Sequence, residues 1–251
     1  MSAVFGRLAQ AIEREERAVL FTVIEGDPLG AHMLVLEDGE RLGDELPEEL
    51  AAQAGELIRD HTNRILELQD GKVFAEIYAP PPRLFVYGAV DTAESLAKLA
   101  GQLGWQAIVA DARTKFATRE RIPSASEIIV AWPEETIAQV APDHATAVVV
   151  LTHDDKFDVP ALKAALATEA FYVGALGSRR NQERRRERLL EAGVDEADLE
   201  RISGPCGLDL GAESQPETAV SILAEIIAVR NRRQGGRLQR SKERIHVEVA
   251  E

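Results

Sequence analysis

Arg179 and Arg180 follow a glycine-bearing run, Gly174-Ala175-Leu176-Gly177-Ser178, and open a stretch of helix-forming residues. Ser178 is placed as a helix N-cap, where the first backbone amides lack partners and the helix dipole is positive. Free amides and two guanidiniums together attract a phosphate or a carboxylate. The competing reading is a well-capped, solvated helix start. Gly88 is a second candidate. It follows an apolar, strand-like run, and Asp111 stands 23 residues later. That is the spacing of a dinucleotide-binding strand–helix–strand unit, in which the acid holds a ribose hydroxyl. Only the first glycine of the fingerprint is present, because the run continues Gly88-Ala89-Val90-Asp91. A side chain at Ala89 crowds a close pyrophosphate, and Asp91 is explained as an N-cap or first-turn acid.

Two further loops carry candidate groups. His153 and Asp154, in Thr152-His153-Asp154-Asp155, sit just past an apolar run. Loops at strand carboxyl ends are where open α/β sheets bind ligands, so both residues are candidates for lining a site or bracing the loop. They also suit a metal or an acid/base pair, although no second His or Cys stands nearby. Gly204, Gly207 and Gly211, in Gly204-Pro205-Cys206-Gly207-Leu208-Asp209-Leu210-Gly211, allow close backbone approach to a ligand or to a neighbouring loop. Asp209 inside that run needs amides or a ligand if it is buried. Cys206 has no basic partner in sequence and reads as a small buried hydrophobe. No Ser/His/Asp nucleophilic pattern is present, so no catalytic residue and no metal ligand is assigned.

The elements that position these residues follow from periodicity and punctuation. Residues 80–230 alternate strands and helices, which implies a parallel sheet with both faces covered. Strands are expected at Leu84–Tyr87, Ala107–Ala110, Ile128–Trp132, Ala147–Thr152 and Phe171–Val173. Helices are expected at Thr92–Leu103, Val159–Ala167, Ser178–Ala192 and Gln215–Arg230, the last after the capping box Ser214-Gln215-Pro216-Glu217. Pro80-Pro81-Pro82 marks a domain boundary. Before it, residues 1–79 read as a small α+β domain. It begins with an amphipathic helix over Ala3–Arg17 that turns Val4, Leu8, Ala11 and Ile12 inward. Hairpin signals follow at Asp38-Gly39 and Asp70-Gly71. Residues 231–251 form a basic tail.

The chain has 251 residues, one cysteine and a formal net charge of −14. One cysteine precludes an internal disulfide and suits the reduced cytoplasm. The acidic balance argues against nucleic acid as a partner. No apolar run reaches the length of a membrane span, and the first residues lack the pattern of a signal peptide.

The segments over residues 80–230 together resemble the xanthine dehydrogenase accessory factor family, the XdhC/CoxI type. The carrying residues are Pro80-Pro81-Pro82-Arg83-Leu84, Asp111-Ala112-Arg113 with Phe116-Ala117-Thr118, and Thr152-His153-Asp154 with Asp158, Pro160, Ala161 and Leu162. Tyr172 through Arg180, Gly204 through Ala212, and Pro216-Glu217 with Ala219-Val220-Ser221-Ile222 and Ala224-Glu225-Ile226 complete the resemblance. The N-terminal part is similar more loosely and looks like a short or divergent form, with Gly26-Asp27-Pro28-Leu29-Gly30 where many members carry a Gly-Ser…Pro-Arg run. The first turn also departs, since members carry glycine–alanine–glycine–histidine there. The resemblance implies an α/β fold with a C-terminal Rossmann-like domain and a homodimer. It implies a chaperone, rather than an enzyme, that binds molybdenum cofactor (molybdopterin) as cargo and assists its delivery to a molybdenum hydroxylase such as xanthine dehydrogenase. The glycine loops, Arg179 and Arg180 then face the cofactor's phosphate and pterin. The alternatives are an NAD(P)-binding oxidoreductase or nucleotide sensor on the same fold, and a scaffold that binds only a partner protein.

Overall fold

The computed structural model describes residues 3–241; Lys242 and Arg244 of the expected basic tail lie outside the described residues. The chain divides into two compact units at Pro80, with Pro81–Gly235 forming the second.

The first unit contains α1 (Ala3–Glu13), β1 (Ala18–Glu25), β2 (His32–Leu36), β3 (Arg41–Gly43), α2 (Glu48–Asp60), β4 (Arg64–Leu68) and β5 (Gly71–Tyr78). Its sheet has the order β3-β2-β1-β5-β4. Every pairing in it is antiparallel. The central strand β1 is apolar without alternation because both its faces are covered. Ala18 and Leu20 share a core with Val4, Leu8 and Ala11 of α1. Val19, Phe21 and Val23 share another with Leu50, Ala54, Leu57 and Ile58 of α2. Ile12, expected to face inward, is exposed. It lies one residue off the seam made by positions 4, 8 and 11.

The second unit contains β6 (Arg83–Tyr87), α3 (Asp91–Gln102), β7 (Gln106–Ala110), β8 (Glu127–Ile129), α4 (Pro133–Val140), β9 (Thr146–Val150), α5 (Asp155–Leu166), β10 (Tyr172–Ala175), α6 (Arg179–Glu191), α7 (Glu196–Leu199), β11 (Ile202–Ser203) and α8 (Gln215–Arg230). Its six strands run in the order β11-β10-β9-β6-β7-β8. All the pairings are parallel. Leu96, Ala97, Ile222 and Ile226 bring α3 and α8 onto one face. Ile137, Phe157, Leu162 and Leu189 bring α4, α5 and α6 onto the other. The architecture is the expected Rossmann-like α/β sheet preceded by a smaller α+β unit.

Four local expectations differ from the structure. β8 stops at Ile129, and Trp132 is instead the N-cap of α4, a helix that periodicity does not reveal. Its signals are nonetheless present, with Pro133 in the first turn followed by Glu134 and Glu135. Helix α5 starts at Asp155 rather than Val159, because the Asp154 side chain caps it by accepting from the Lys156 amide. Leu103, the last residue of the expected helix, is instead the exposed C-cap of α3, which ends at Gln102. Finally, β11 precedes Gly204, a strand not among those expected, so this glycine loop leaves the sheet.

Candidate functional site at the carboxyl edge of the parallel sheet

The chain passes from β6 to β7 on one side and later to β9 on the other, so the strand order reverses between β6 and β9. In open α/β sheets this is where a crevice forms outside the strand carboxyl ends. Gly88 leaves β6 at that point with φ +113°. A Cβ there would stand 2.9 Å from Thr152 Cγ2 and 3.1 Å from the Thr152 amide nitrogen. The glycine therefore lets the first turn pass the end of β9, a packing requirement that exists without any ligand.

Asp111, at the end of β7, is 1% exposed. The Ala89 amide donates to its Oδ2 at 3.0 Å and the Arg113 amide to its Oδ1 at 2.9 Å. The Arg113 guanidinium adds a two-pronged pair, Nε to Oδ1 at 2.9 Å and Nη2 to Oδ2 at 2.8 Å. Burial alone would raise this carboxyl, but the Arg113 guanidinium and the two amides outweigh it and hold the group below its usual range. Its lone pairs are thus engaged in bracing the first turn and orienting Arg113. The guanidinium carbon lies 4.3 Å from the centroid of Phe116 and 5.6 Å from that of Phe157.

Beneath the next two strand ends lies a buried polar chain. The Thr152 hydroxyl donates to Asp158 Oδ1. Arg185 Nη2 donates to Asp158 Oδ2 at 2.7 Å and to the Leu176 carbonyl at 3.0 Å. Arg185 Nη1 donates to Gln182 Oε1 at 2.6 Å, and Gln182 Nε2 donates to the Ala175 carbonyl at 3.1 Å. Burial pushes the Asp158 carboxyl up against the opposing pull of Thr152 and Arg185. The chain ties α5 and α6 to the loops after β9 and β10. Gly204 belongs to the same construction, since a Cβ there would meet Gln182 Oε1 at 2.5 Å.

Above this brace stand the expected anion-site residues. Gly177 has φ +140°, and Ser178 caps α6 by accepting from the Asn181 amide. Arg179 and Arg180 are exposed. Four other arginines of the same stretch have carboxylate partners: Arg184 with Asp155, Arg185 with Asp158, Arg186 with Glu196 and Arg188 with Glu191. Arg179 and Arg180 have none among the described residues, and the first turn of α6 holds no acid. Two cations at the positive end of a helix dipole disfavour one another and the helix, which an arriving anion relieves.

The remaining glycines divide by role. A Cβ on Gly174 would stand 2.6 Å from the Tyr172 ring, so this glycine makes room for a buried side chain. Tyr172 donates to Glu225 Oε2 at 2.5 Å, and the Gly207 amide donates to the same oxygen at 2.8 Å. Gly207 has φ +111°, and a Cβ there would lie 2.4 Å from Ser221 Oγ. Cys206 is buried beside this network; burial pushes its thiol up to about 12, with the Glu225 charge adding to it. That agrees with a packed hydrophobe rather than a thiolate. Asp209 and Gly211 sit in the exposed part of the loop, and no atom crowds a Cβ at Gly211. His153 is exposed, and Asp154 is the α5 cap with Lys156 3.5 Å away. Among the described residues no group of three His, Cys, Asp or Glu is placed to hold a metal ion.

Residue types alone give little reason to single out Trp132, Arg113, Asp158, Arg185 or Glu225. Asp158 and Arg185 lie 27 residues apart, and only the packing of α6 against α5 makes them a pair. A faint signal exists in Arg113, two residues after a candidate acid.

Known proteins are similar to this chain. The model of the XdhC Rossmann domain matches residues 84–226, more than half of the chain. A Bacillus subtilis (strain 168) protein, named as a probable subunit of xanthine dehydrogenase, is 34% identical over 164 residues, which cover 65% of this chain and 48% of that protein. The Escherichia coli (strain K12) molybdenum cofactor insertion chaperone PaoD is 32% identical over 153 residues, covering 61% of this chain and 42% of the chaperone. A solved structure described as a xanthine dehydrogenase from Bacillus halodurans superposes with a TM-score of 0.67 at 25% identity, covering 89% of this chain and 65% of that one. The chain thus spans about half or less of the length of these curated relatives.

Proposed function

We propose, from the premise that this chain belongs to the XdhC Rossmann-domain family, that it is an accessory protein in the maturation of a molybdenum hydroxylase of the xanthine dehydrogenase type. In this role it binds molybdenum cofactor as cargo and assists its delivery. The observation that carries the reading is that Arg179 and Arg180, at the capped start of α6 on the carboxyl edge of the sheet, have no carboxylate partner among the described residues, while their neighbours are neutralised. A cofactor with a terminal phosphate supplies the missing anion. The relative named as a molybdenum cofactor insertion chaperone supports the same assignment. Among the described residues no helix is long and apolar enough to cross a membrane. A cytoplasmic homodimer completes the proposal.

Ordinary dinucleotide binding is the weaker reading. The carboxylate that would hold a ribose hydroxyl is engaged by Arg113 and the Ala89 amide. The test is a calorimetric titration of the purified protein with molybdenum cofactor, with NAD, NADP and AMP in parallel. Saturable binding of the cofactor that exceeds that of the nucleotides is expected. Binding of a nucleotide alone would replace this function with a nucleotide-dependent one.

A further inference from the structure

The rim of the crevice beside β7 and β8 carries an aromatic and cationic cluster that the anion site does not use. Trp132 is 50% exposed, although its ring packs at 5.3 Å, tilted by 44°, against Phe157. Its backbone is fixed, because the Trp132 carbonyl accepts from the Thr136 amide and hydroxyl at the start of α4. Phe157 is buried and also contacts Tyr87, at 6.4 Å between ring centroids. The Lys156 amine stands 4.7 Å from the Phe157 centroid. Arg113 completes the cluster between Phe116 and Phe157, and Asp111 holds two of its three nitrogens. Its Nη1 edge has no hydrogen-bond partner among the described residues, and the side chain is 36% exposed.

A half-exposed tryptophan on a rigid aromatic base is a surface on which a planar ring can stack without reorganising the protein. A guanidinium locked on one edge by a buried carboxylate offers its other edge in a fixed plane, suited to an oxyanion or a ring carbonyl. We propose that Trp132, Phe157 and Arg113 form a shelf that stacks a planar heteroaromatic ring bearing an oxygen acceptor. The shelf deepens the function proposed above and rests on that reading: Arg179 and Arg180 take the phosphate, and the shelf takes a ring of the same ligand. Pterins and nucleobases share the required chemistry.

The protein contains two tryptophans. The other, Trp105, is buried under Arg230, whose guanidinium carbon lies 5.2 Å from the ring centroid. Emission of the wild type minus that of Trp132→Phe therefore reports Trp132. Molybdenum cofactor, a phosphorylated pterin and AMP are titrated separately, with affinity measured independently by calorimetry. The expected result is saturable quenching of Trp132 by at least one probe. Trp132→Ala should weaken that probe about tenfold, within the range of losses known for stacked bases. Trp132→Phe should retain most of the affinity, and thermal unfolding should be unchanged in both variants. Quenching by the pterin alone assigns the ring as a pterin, and quenching by AMP assigns it as a base. Calorimetric binding without quenching, and with undiminished affinity in Trp132→Ala, overturns the shelf and leaves the cargo reading standing. Failure of every probe to bind the wild type overturns both.

Discussion

Asp111 and Asp158 are both buried at the carboxyl edge of the parallel sheet, and each holds an arginine. The first pairs within its own loop, with Arg113 two residues on, and that guanidinium keeps one edge toward solvent. The second pairs across the fold with Arg185 of α6, which is itself buried and also donates to the Leu176 carbonyl and to Gln182. Burying one member of an ion pair aims the other. Burying both consumes both and fixes the segments that carry them. The titration tendencies follow the same division. Local donors hold Asp111 low despite burial, whereas burial prevails at Asp158.

The largest expected break in this comparison is Arg185→Ala. It strands a buried carboxylate, and losses for broken buried pairs run about 3–5 kcal/mol. Urea unfolding should show a loss on that scale, and replacing both partners by Asp158→Leu with Arg185→Met should recover much of it. A loss below about 1 kcal/mol for Arg185→Ala would mean that the brace is not structural.

Asp111→Asn should cost less, about 1–3 kcal/mol for lost charge-assisted hydrogen bonds, because Arg113 can turn to water. Its pH signature has a definite sign. The folded-state carboxyl is held low, so its contribution is complete above the unfolded value and is lost as pH falls through the folded one. The stability of the wild type should therefore drop more steeply below about pH 4 than that of Asp111→Asn. Parallel curves would remove Asp111 from the account of acid sensitivity.

Arg179→Ala tests an arginine outside both pairs. It should leave stability within about 0.5 kcal/mol while weakening molybdenum cofactor by about 1–3 kcal/mol, read by calorimetry. An unchanged affinity would take Arg179 out of the site. Arg186→Ala is the smallest expected effect, since its pair with Glu196 is on the surface and such pairs contribute about 0–1 kcal/mol. Loss of cofactor affinity in that variant would show that the basic stretch acts as a diffuse field rather than through two positioned residues.

Much of this frame is legible in the residues. The apolar runs of β6 and β9, the capping box before α8 and Ser178 before α6 announce themselves through short-range rules of burial and amide satisfaction. Helix α4 escapes periodicity because it is short and its apolar positions are few, although Pro133 and two acids mark its start. Trp132 reads as strand because an aromatic after β-branched residues carries strand propensity. The stop at Ile129 comes from the end of pairing with β7.

The sequence by itself determined the alternation of elements, the helix starts, the charge pattern and the glycines after the strands, since each depends on neighbours within a few residues. Tertiary structure alone decided what those glycines are for. Gly88 clears Thr152, Gly174 clears the Tyr172 ring and Gly207 clears Ser221. It also decided which charges were left over among the described residues: Asp158 removes Arg185 from the basic stretch, Asp155 and Glu196 neutralise Arg184 and Arg186, and Arg179 and Arg180 remain. The physical reason is that van der Waals clearance and ion pairing act at a few ångströms in space, and the chain brings residues within that range only after the sheet has formed.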